Sequence, residues 1–375
     1  MKHLTFFLIV LLMFAVTSCD TGSSSSVEVE GVITSIAVTE DFESSQTVVA
    51  GTSQGQIVIV DGDAAQLEVL ATLDGLEHVT SVAGKSVTGL AIDDGTIFAA
   101  SLAGLKTVDM DSGMVRDLSF PGAYIPLYVR LAPDFQQSNQ MFAVGVQDGR
   151  PQQSLWQSAD GGQSWTAADY DTQQDPDLLY PPVYSLDTKP LLPAHEQVFA
   201  KEPDDAVWQS SLDDVDAEVG YAVPLPNYLD TGTFLSVDML GIRPATLYHN
   251  QATPVDLPFV TARFGTGCRI SGYGGACVTP VKFVQQDNGS FATYAVGQVW
   301  SSDDAEFLGH SLFVVAEDGQ SWEQSQRLMN HEIVDLLTVP YDDTTAVIMA
   351  GDRSVYVSLD NGANWQTISY EEPDQ

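Results

Sequence analysis

The stretch SADGGQSW, Ser158 to Trp165, recurs without a gap as SLDNGANW, Ser358 to Trp365, and in altered form as VAEDGQSW, Val315 to Trp322. The three copies share an acidic third position (Asp160, Asp360, Glu317), a glycine at the fifth (Gly162, Gly362, Gly319) and a closing tryptophan (Trp165, Trp365, Trp322), with serine first in two of them (Ser158, Ser358). Each part has a physical reason. An Asp carboxylate accepts backbone N–H groups within a tight turn, and Gly adopts φ > 0 without steric cost. The Trp offers a large apolar body to the next strand. A motif that repeats in this way marks a repeat protein.

A second phrase repeats beside it: IAVTEDFESSQTVVAG (Ile36 to Gly51), VRLAPDFQQSNQMFAVG (Val129 to Gly145) and LLTVPYDDTTAVIMAG (Leu336 to Gly351). Each reads as an apolar strand, an acidic turn and a second apolar strand ending in Gly. Short β-branched and aromatic runs separated by turn residues fill the remainder, which makes the chain all-β. Units fall at about Thr34 to Leu73, Val87 to Phe120, Leu127 to Tyr170, Val183 to Val223, Gly232 to Arg263, Val281 to Leu328 and Ile333 to Tyr370. Their spacing of about fifty residues suits propeller blades of four antiparallel strands, seven in all. Decayed copies of the first motif occur in register, at Asp61, at Asp109 to Gly113 and at Asp213. Val27 to Ile33 is available as a strand to complete the last blade.

The octapeptide resembles the Asp-box, or BNR repeat, of sialidase-like β-propellers. That resemblance implies a single propeller over residues 27–375 and a structural, turn-forming role for the motif's residues. A sialidase would further need three arginines around a substrate carboxylate, the first usually in an Arg-Ile-Pro segment. Of eight arginines none lies in such a segment; Arg243 in GIRP and Arg269 in CRIS are the nearest, both past the middle of the chain.

The amino terminus reads as an address. Lys2 and His3 precede an apolar run from Leu4 to Val16, and Thr17 and Ser18 then lead to Cys19. The run is short for a bilayer span, and small residues before a cysteine suit cleavage with lipidation. Residues 1–18 are therefore expected to be a signal peptide resembling those of bacterial lipoproteins, with Cys19 carrying lipid and residues 19–26 forming a Ser-rich tether. An ordinary secretory peptide is the alternative. The expected location is outside the cytoplasm, anchored to the cell envelope.

Composition narrows the partners. The 375 residues hold 51 acidic against 14 basic side chains, a net charge of -37. Nucleic acid is a poor partner for such a chain, because phosphate recognition needs clustered Lys and Arg. The hydrophobic share of 44% argues for a folded chain, so the charge sits on its surface and favours a saline or divalent-rich setting. Cys268 and Cys277 flank the loop RISGYGGA in an exported chain, which suits a disulfide; free thiols or a metal pair are the alternatives.

No cofactor is expected. The six histidines have no metal-ligand spacing. Calcium could use oxygen ligands at Asp61 to Asp63 or Ser301 to Glu306, but neither matches the EF-hand loop. Gly51-Thr52-Ser53-Gln54-Gly55 fits G-x-S-x-G, yet a strand rather than a helix follows it, so it reads as a hairpin. The insert Asp169 to Tyr184 combines acids, tyrosines and prolines; it suits either a contact surface or a long connection between blades.

These readings favour a lipid-anchored, non-catalytic binding or scaffold propeller for a protein or glycan partner. A glycoside hydrolase, sialidase-like or acting on neutral glycans, is the alternative, and an envelope protein whose repeats serve only spacing is a third. Within the first, the chain resembles the photosystem II assembly and stability factor family, whose members are exported seven-bladed propellers. It lacks that family's basic face, so the family's partner is not implied.

Overall fold

Burial patterns show how the apolar runs are used. The strands Thr47–Thr52, Thr96–Ser101, Met141–Gln147 and Thr344–Gly351 are buried along nearly their whole length, on both faces. Strands covered on both sides read as continuous apolar runs. The fourth strands of the same sheets, Gln66–Thr72, Val115–Asp117 and Gln366–Ser369, are far more exposed. Sheets therefore stand face to face, with one edge inside and one edge in solvent.

The computed structural model describes residues 28–73, 86–147, 153–171, 183–184, 190–194, 197–201, 205–210, 221–224, 234–237, 246–249, 253–256, 262–263, 281–285, 291–300, 307–315, 322–325 and 333–370. Among these residues the strands form seven sheets. Four are complete antiparallel sheets of four strands in chain order, spanning residues 33–72, 87–117, 124–167 and 333–369. A fifth such sheet joins Tyr221–Pro224, Phe234–Val237, Thr246–His249 and Thr253–Asp256.

First strands lie beside first strands. Ile33–Val38 neighbours Val87–Asp93, which neighbours Tyr124–Leu131; Val281–Gln285 neighbours Ile333–Tyr341, and Ile333–Tyr341 neighbours Ile33–Val38. The chain's first and last sheets are thus packed together. Apolar clusters fill the spaces between successive sheets rather than the interior of any one. Val48, Val60, Ile348 and Val357 join the first sheet to the last, and Val49, Ile57, Ile97 and Val108 join the first to the second. Phe142, Leu155, Leu192 and Trp208 join the third to the fourth. This is a β-propeller.

The recurrent Gly at the end of the second strand follows from that packing. A Cβ on Gly51 would overlap Val87 of the next sheet, and one on Gly145 would stand 3.0 Å from the Phe120 ring.

Several boundaries differ from the sequence reading. Tyr221–Pro224, expected at the end of the fourth unit, pairs with Phe234–Val237 and opens the fifth sheet. Ala262–Arg263, expected in the fifth unit, pairs with Gln298 and Val299 of the sixth. Both sit in weakly punctuated sequence, where pairing partners rather than turn residues decide membership. The fourth sheet carries an extra strand: Asp169–Tyr170 runs parallel to Val207–Trp208 at its outer edge. Residues 28–32 are not a strand, so among the described residues the expected strand Val27 to Ile33 does not complete the last sheet, and Val27 lies outside them. Instead the Ile33 amide donates to the Asp352 carbonyl at 2.7 Å, and the join is made by side-chain packing.

Candidate functional site

The two intact octapeptides each link the third strand of a sheet to the fourth. In the first, the Ser158 hydroxyl donates to Asp160 Oδ1 at 2.8 Å and accepts the Gly162 amide at 2.9 Å. Asp160 in turn accepts the Ser164 amide at 2.9 Å and the Ser164 hydroxyl at 2.5 Å. The second repeats this closely. Ser358 donates to Asp360 at 2.8 Å and accepts from Gly362 at 2.9 Å, while Asp360 accepts the Asn364 amide and side-chain amide at 2.8 and 2.6 Å. Gly162 and Gly362 have φ of 86° and 85°, the left-handed region. Trp165 Nε1 donates to the Gly162 carbonyl and, at 2.6 Å, to Ser119 between the second and third sheets; Trp365 Nε1 donates to Gly362 at 2.9 Å.

The turns also touch the preceding sheet. A Cβ on Gly162 would stand 3.2 Å from Leu118, and one on Gly362 2.6 Å from Leu312. Both tryptophans pack on the cluster that joins their sheet to the one before it.

Electrostatics follow from these bonds. The Ser164 hydroxyl and amide, with the Ser158 hydroxyl, hold Asp160 down at about 2. Partial burial pushes Asp360 up, but the Asn364 amide, its side chain and Ser358 more than offset this and leave it below the usual range. These carboxylates are ionised acceptors inside a turn.

The weaker copies occupy the same place with different bonding. Asp61 and Asp109 are the last residues of their third strands, which is the position of Ser158 rather than of Asp160. Each accepts an amide three residues on, from Ala64 and Ser112, both at 2.8 Å. The Ser112 hydroxyl and amide also lower the Asp109 carboxyl.

All four complete sheets tie this turn to the connection between their first and second strands or, in the last sheet, to the start of the second strand. Gly62, Met110, Gly161 and Asn361 donate amides to the carbonyls of Gln46, Gly95, Asn139 and Thr345. In two sheets that connection is a one-turn helix, Phe42–Ser45 or Phe135–Ser138, closed by a left-handed Gln46 or Asn139. Phe42 and Phe135 are buried beneath it. The sequence suggested plain acidic turns at these places; the buried Phe converts two of them to helix, whereas Asp342 and Asp343 make the shorter turn of the last sheet.

These eight connections share one rim, and every one carries at least one Asp: Asp41, Asp61, Asp94, Asp109, Asp134, Asp160, Asp342 and Asp360 stand for them in turn. None carries Lys or Arg. The opposite rim differs. Its described hairpins are Ser53 to Gly55, Leu102 to Ala103, and Asp352 to Arg353. The first of these is the G-x-S-x-G match, a hairpin between Thr47–Thr52 and Gln56–Asp61.

Two groups here had no strong sequence signal. Phe120, Tyr124 and Trp156 form edge-to-face contacts at 6.1 and 4.9 Å on the third sheet, foreshadowed only by the aromatics flanking Pro121 and Gly122. Residues 28–32 are held between the first and last sheets, with Val29 in their shared core. The insert Asp169 to Tyr184 begins at the outer edge of the fourth sheet and ends at its opposite edge, in Val183–Tyr184. Its two ends are thus opposite edge strands of one sheet, and residues 172–182 lie outside the described residues.

Cys19, Cys268, Cys277, Glu317, Gly319, Asp213 and Ser301 to Glu306 also lie outside them. Trp322 opens the strand Trp322–Gln324. Among the described residues no group of three or more His, Cys, Asp or Glu could hold a metal ion, and no helix is long and apolar enough to cross a membrane.

No family model matches the chain, and no curated protein matches it. Solved structures do. A structure of YCF48 bound to D1 peptide aligns over 88% of this chain and 94% of its own, at 10% identity and a TM-score of 0.57. The Dos1 propeller aligns over 91% and 81%, at 11% identity and a TM-score of 0.54. An ancestral GH74 enzyme aligns at 13% identity with a TM-score of 0.45, and the chain spans 39% of that enzyme's length. At these identities the likeness is one of fold, and the fold shared with YCF48 and Dos1 is the β-propeller.

Proposed function

We propose that this protein is a lipid-anchored propeller outside the cytoplasm that binds a protein or glycan partner without transforming it. Seven blades and Asp-box turns belong to this reading, as do a signal peptide over residues 1–18 and lipid on Cys19. The observation that carries it is the state of the repeated carboxylates. Asp160 and Asp360 are committed to amides and hydroxyls of their own turns and held ionised. A glycosidase acid works from the opposite condition, a carboxyl raised so that it can donate a proton, so these turns serve the scaffold and supply no such acid. Propellers present loops on a rigid ring, where binding usually resides. The YCF48 structure with its bound peptide supports the use of this fold for peptide capture.

The test is a screen of the purified protein against a glycan array and fluorogenic glycosides at low and high salt, beside affinity capture from envelope extracts. Saturable capture or glycan binding without turnover is the expected result. Turnover of any glycoside would overturn it and place the protein among the hydrolases.

A further inference from the structure

We propose that the rim at which the chain enters the fold lies against the lipid bilayer and that the acidic rim faces away from it. The inference rests on the lipid-anchor reading and adds an orientation to it.

Three observations converge. The first is where the chain is fixed. The Glu30 amide donates to Gln56 Oε1 at 2.7 Å, and Gln56 Nε2 donates to the Glu28 carbonyl at 3.1 Å. Val32 and Ser53 exchange bonds, amide to hydroxyl at 3.1 Å and amide to carbonyl at 2.8 Å. From the last sheet, the Tyr370 hydroxyl donates to the Gly31 carbonyl at 2.9 Å. The strap is therefore clamped by two sheets at the rim that holds the Ser53 to Gly55 hairpin, and the lipid on Cys19 must pull from there.

The second is reach. Nine residues, Cys19 to Val27, separate the lipid from the strap. A coil of that length spans roughly 16 Å and at most about 30 Å when fully extended. Strands of six to eight residues put the two rims about 20 Å apart or more. A disc turned over, with its far rim on the bilayer, would need the tether near full extension. The upright disc needs none.

The third is charge. Each of the eight far-rim connections in the complete sheets carries an Asp and no cation, whereas the described near-rim hairpins and strap together carry Glu28, Glu30, Asp352 and the cation Arg353. A leaflet that carries anionic lipid repels the first rim more than the second, over distances within a Debye length. Anchor position, tether length and repulsion select the same orientation, and they leave the acidic rim as the surface that meets partners.

Carboxyl footprinting of the full lipidated protein tests this without substitutions. The protein is reconstituted on vesicles of phosphatidylethanolamine and phosphatidylglycerol, treated with carbodiimide and an amine, and compared by mass spectrometry with the same protein in detergent. Modification of Glu28, Glu30 and Asp352 should fall several-fold on vesicles, with Asp63 and Asp94 unchanged. Equal loss at both rims, or greater loss at Asp63 and Asp94, would overturn the orientation while leaving the anchor in place. Failure to float with the vesicles would overturn the anchor and the orientation together.

Discussion

The hydroxyl of Ser158 donates to Asp160 at 2.8 Å while accepting the amide of Gly162, so that one side chain holds the acid in position and closes the turn around it. The same relationship, at the same distance, joins Ser358 to Asp360. The turn is a self-contained hydrogen-bonded unit, and its consequences are local and measurable.

Acid should release it late. Asp160 is lowered to about 2 from an ordinary value of 3.8. A depressed carboxyl stabilises the fold fully above its unfolded value, and that contribution disappears as pH falls through the folded one. Asp160→Asn should therefore be less stable than the parent at neutral pH. The gap should close between about pH 4 and pH 2, as read from denaturant midpoints along a pH series.

The two positions of the Gly161-Gly162 pair should respond differently. Gly162→Ala meets both a φ of 86° and the Leu118 methyl, and Gly362→Ala meets Leu312 more closely still. Each should cost about 1–3 kcal/mol, with the second larger. Gly161→Asn should fall within about 0.5 kcal/mol of the parent, because the equivalent Asn361 already adopts φ 59°. Urea unfolding of the three variants decides this.

The join between first and last sheets has a polar pin. Asp335 accepts the Ile36 amide at 3.1 Å and the Leu336 amide at 2.9 Å. Asp335→Ala should destabilise by about 1–3 kcal/mol. The amide of Ile36 should lose exchange protection before those of the third sheet, a pattern that a uniform loss of stability would not produce.

Salt should stabilise the protein. With a net charge of -37 and an Asp on each of eight connections along one rim, like charges repel at low ionic strength. Raising salt from 0.1 to 1 M shortens the screening length from about 10 to about 3 Å. The melting temperature should rise over that range. A flat or falling value would show that the rim's charges are too widely spaced to matter.

Fold class was legible from the sequence because turn chemistry and apolar continuity both repeat. SADGGQSW and SLDNGANW point to one turn, and TVVAGT, MFAVGV and TAVIMAG to strands buried on both faces. Contacts between distant parts of the chain were not legible. Nothing local to Asp335 points to Ile36, almost three hundred residues away, and nothing in Asp169-Tyr170 announces a parallel partner in Val207–Trp208. Asp61 and Asp109 were found by register, yet they stand where the intact motif has serine. A carboxylate placed there reaches the amide three residues on and forms a different turn.

Each of the four complete sheets is made from one uninterrupted piece of chain, including the first and the last. A chain leaving the ribosome can therefore finish its first sheet once residue 72 has emerged, with no later strand needed to complete it. One face of that sheet then waits. Val48, Val60 and Phe42, which end against Ile348 and Val357, stay uncovered until residues 333–369 have been synthesised. From residue 72 to residue 333 the growing chain thus carries an open apolar flank, and the sheet formed by residues 333–369, when it folds, covers it.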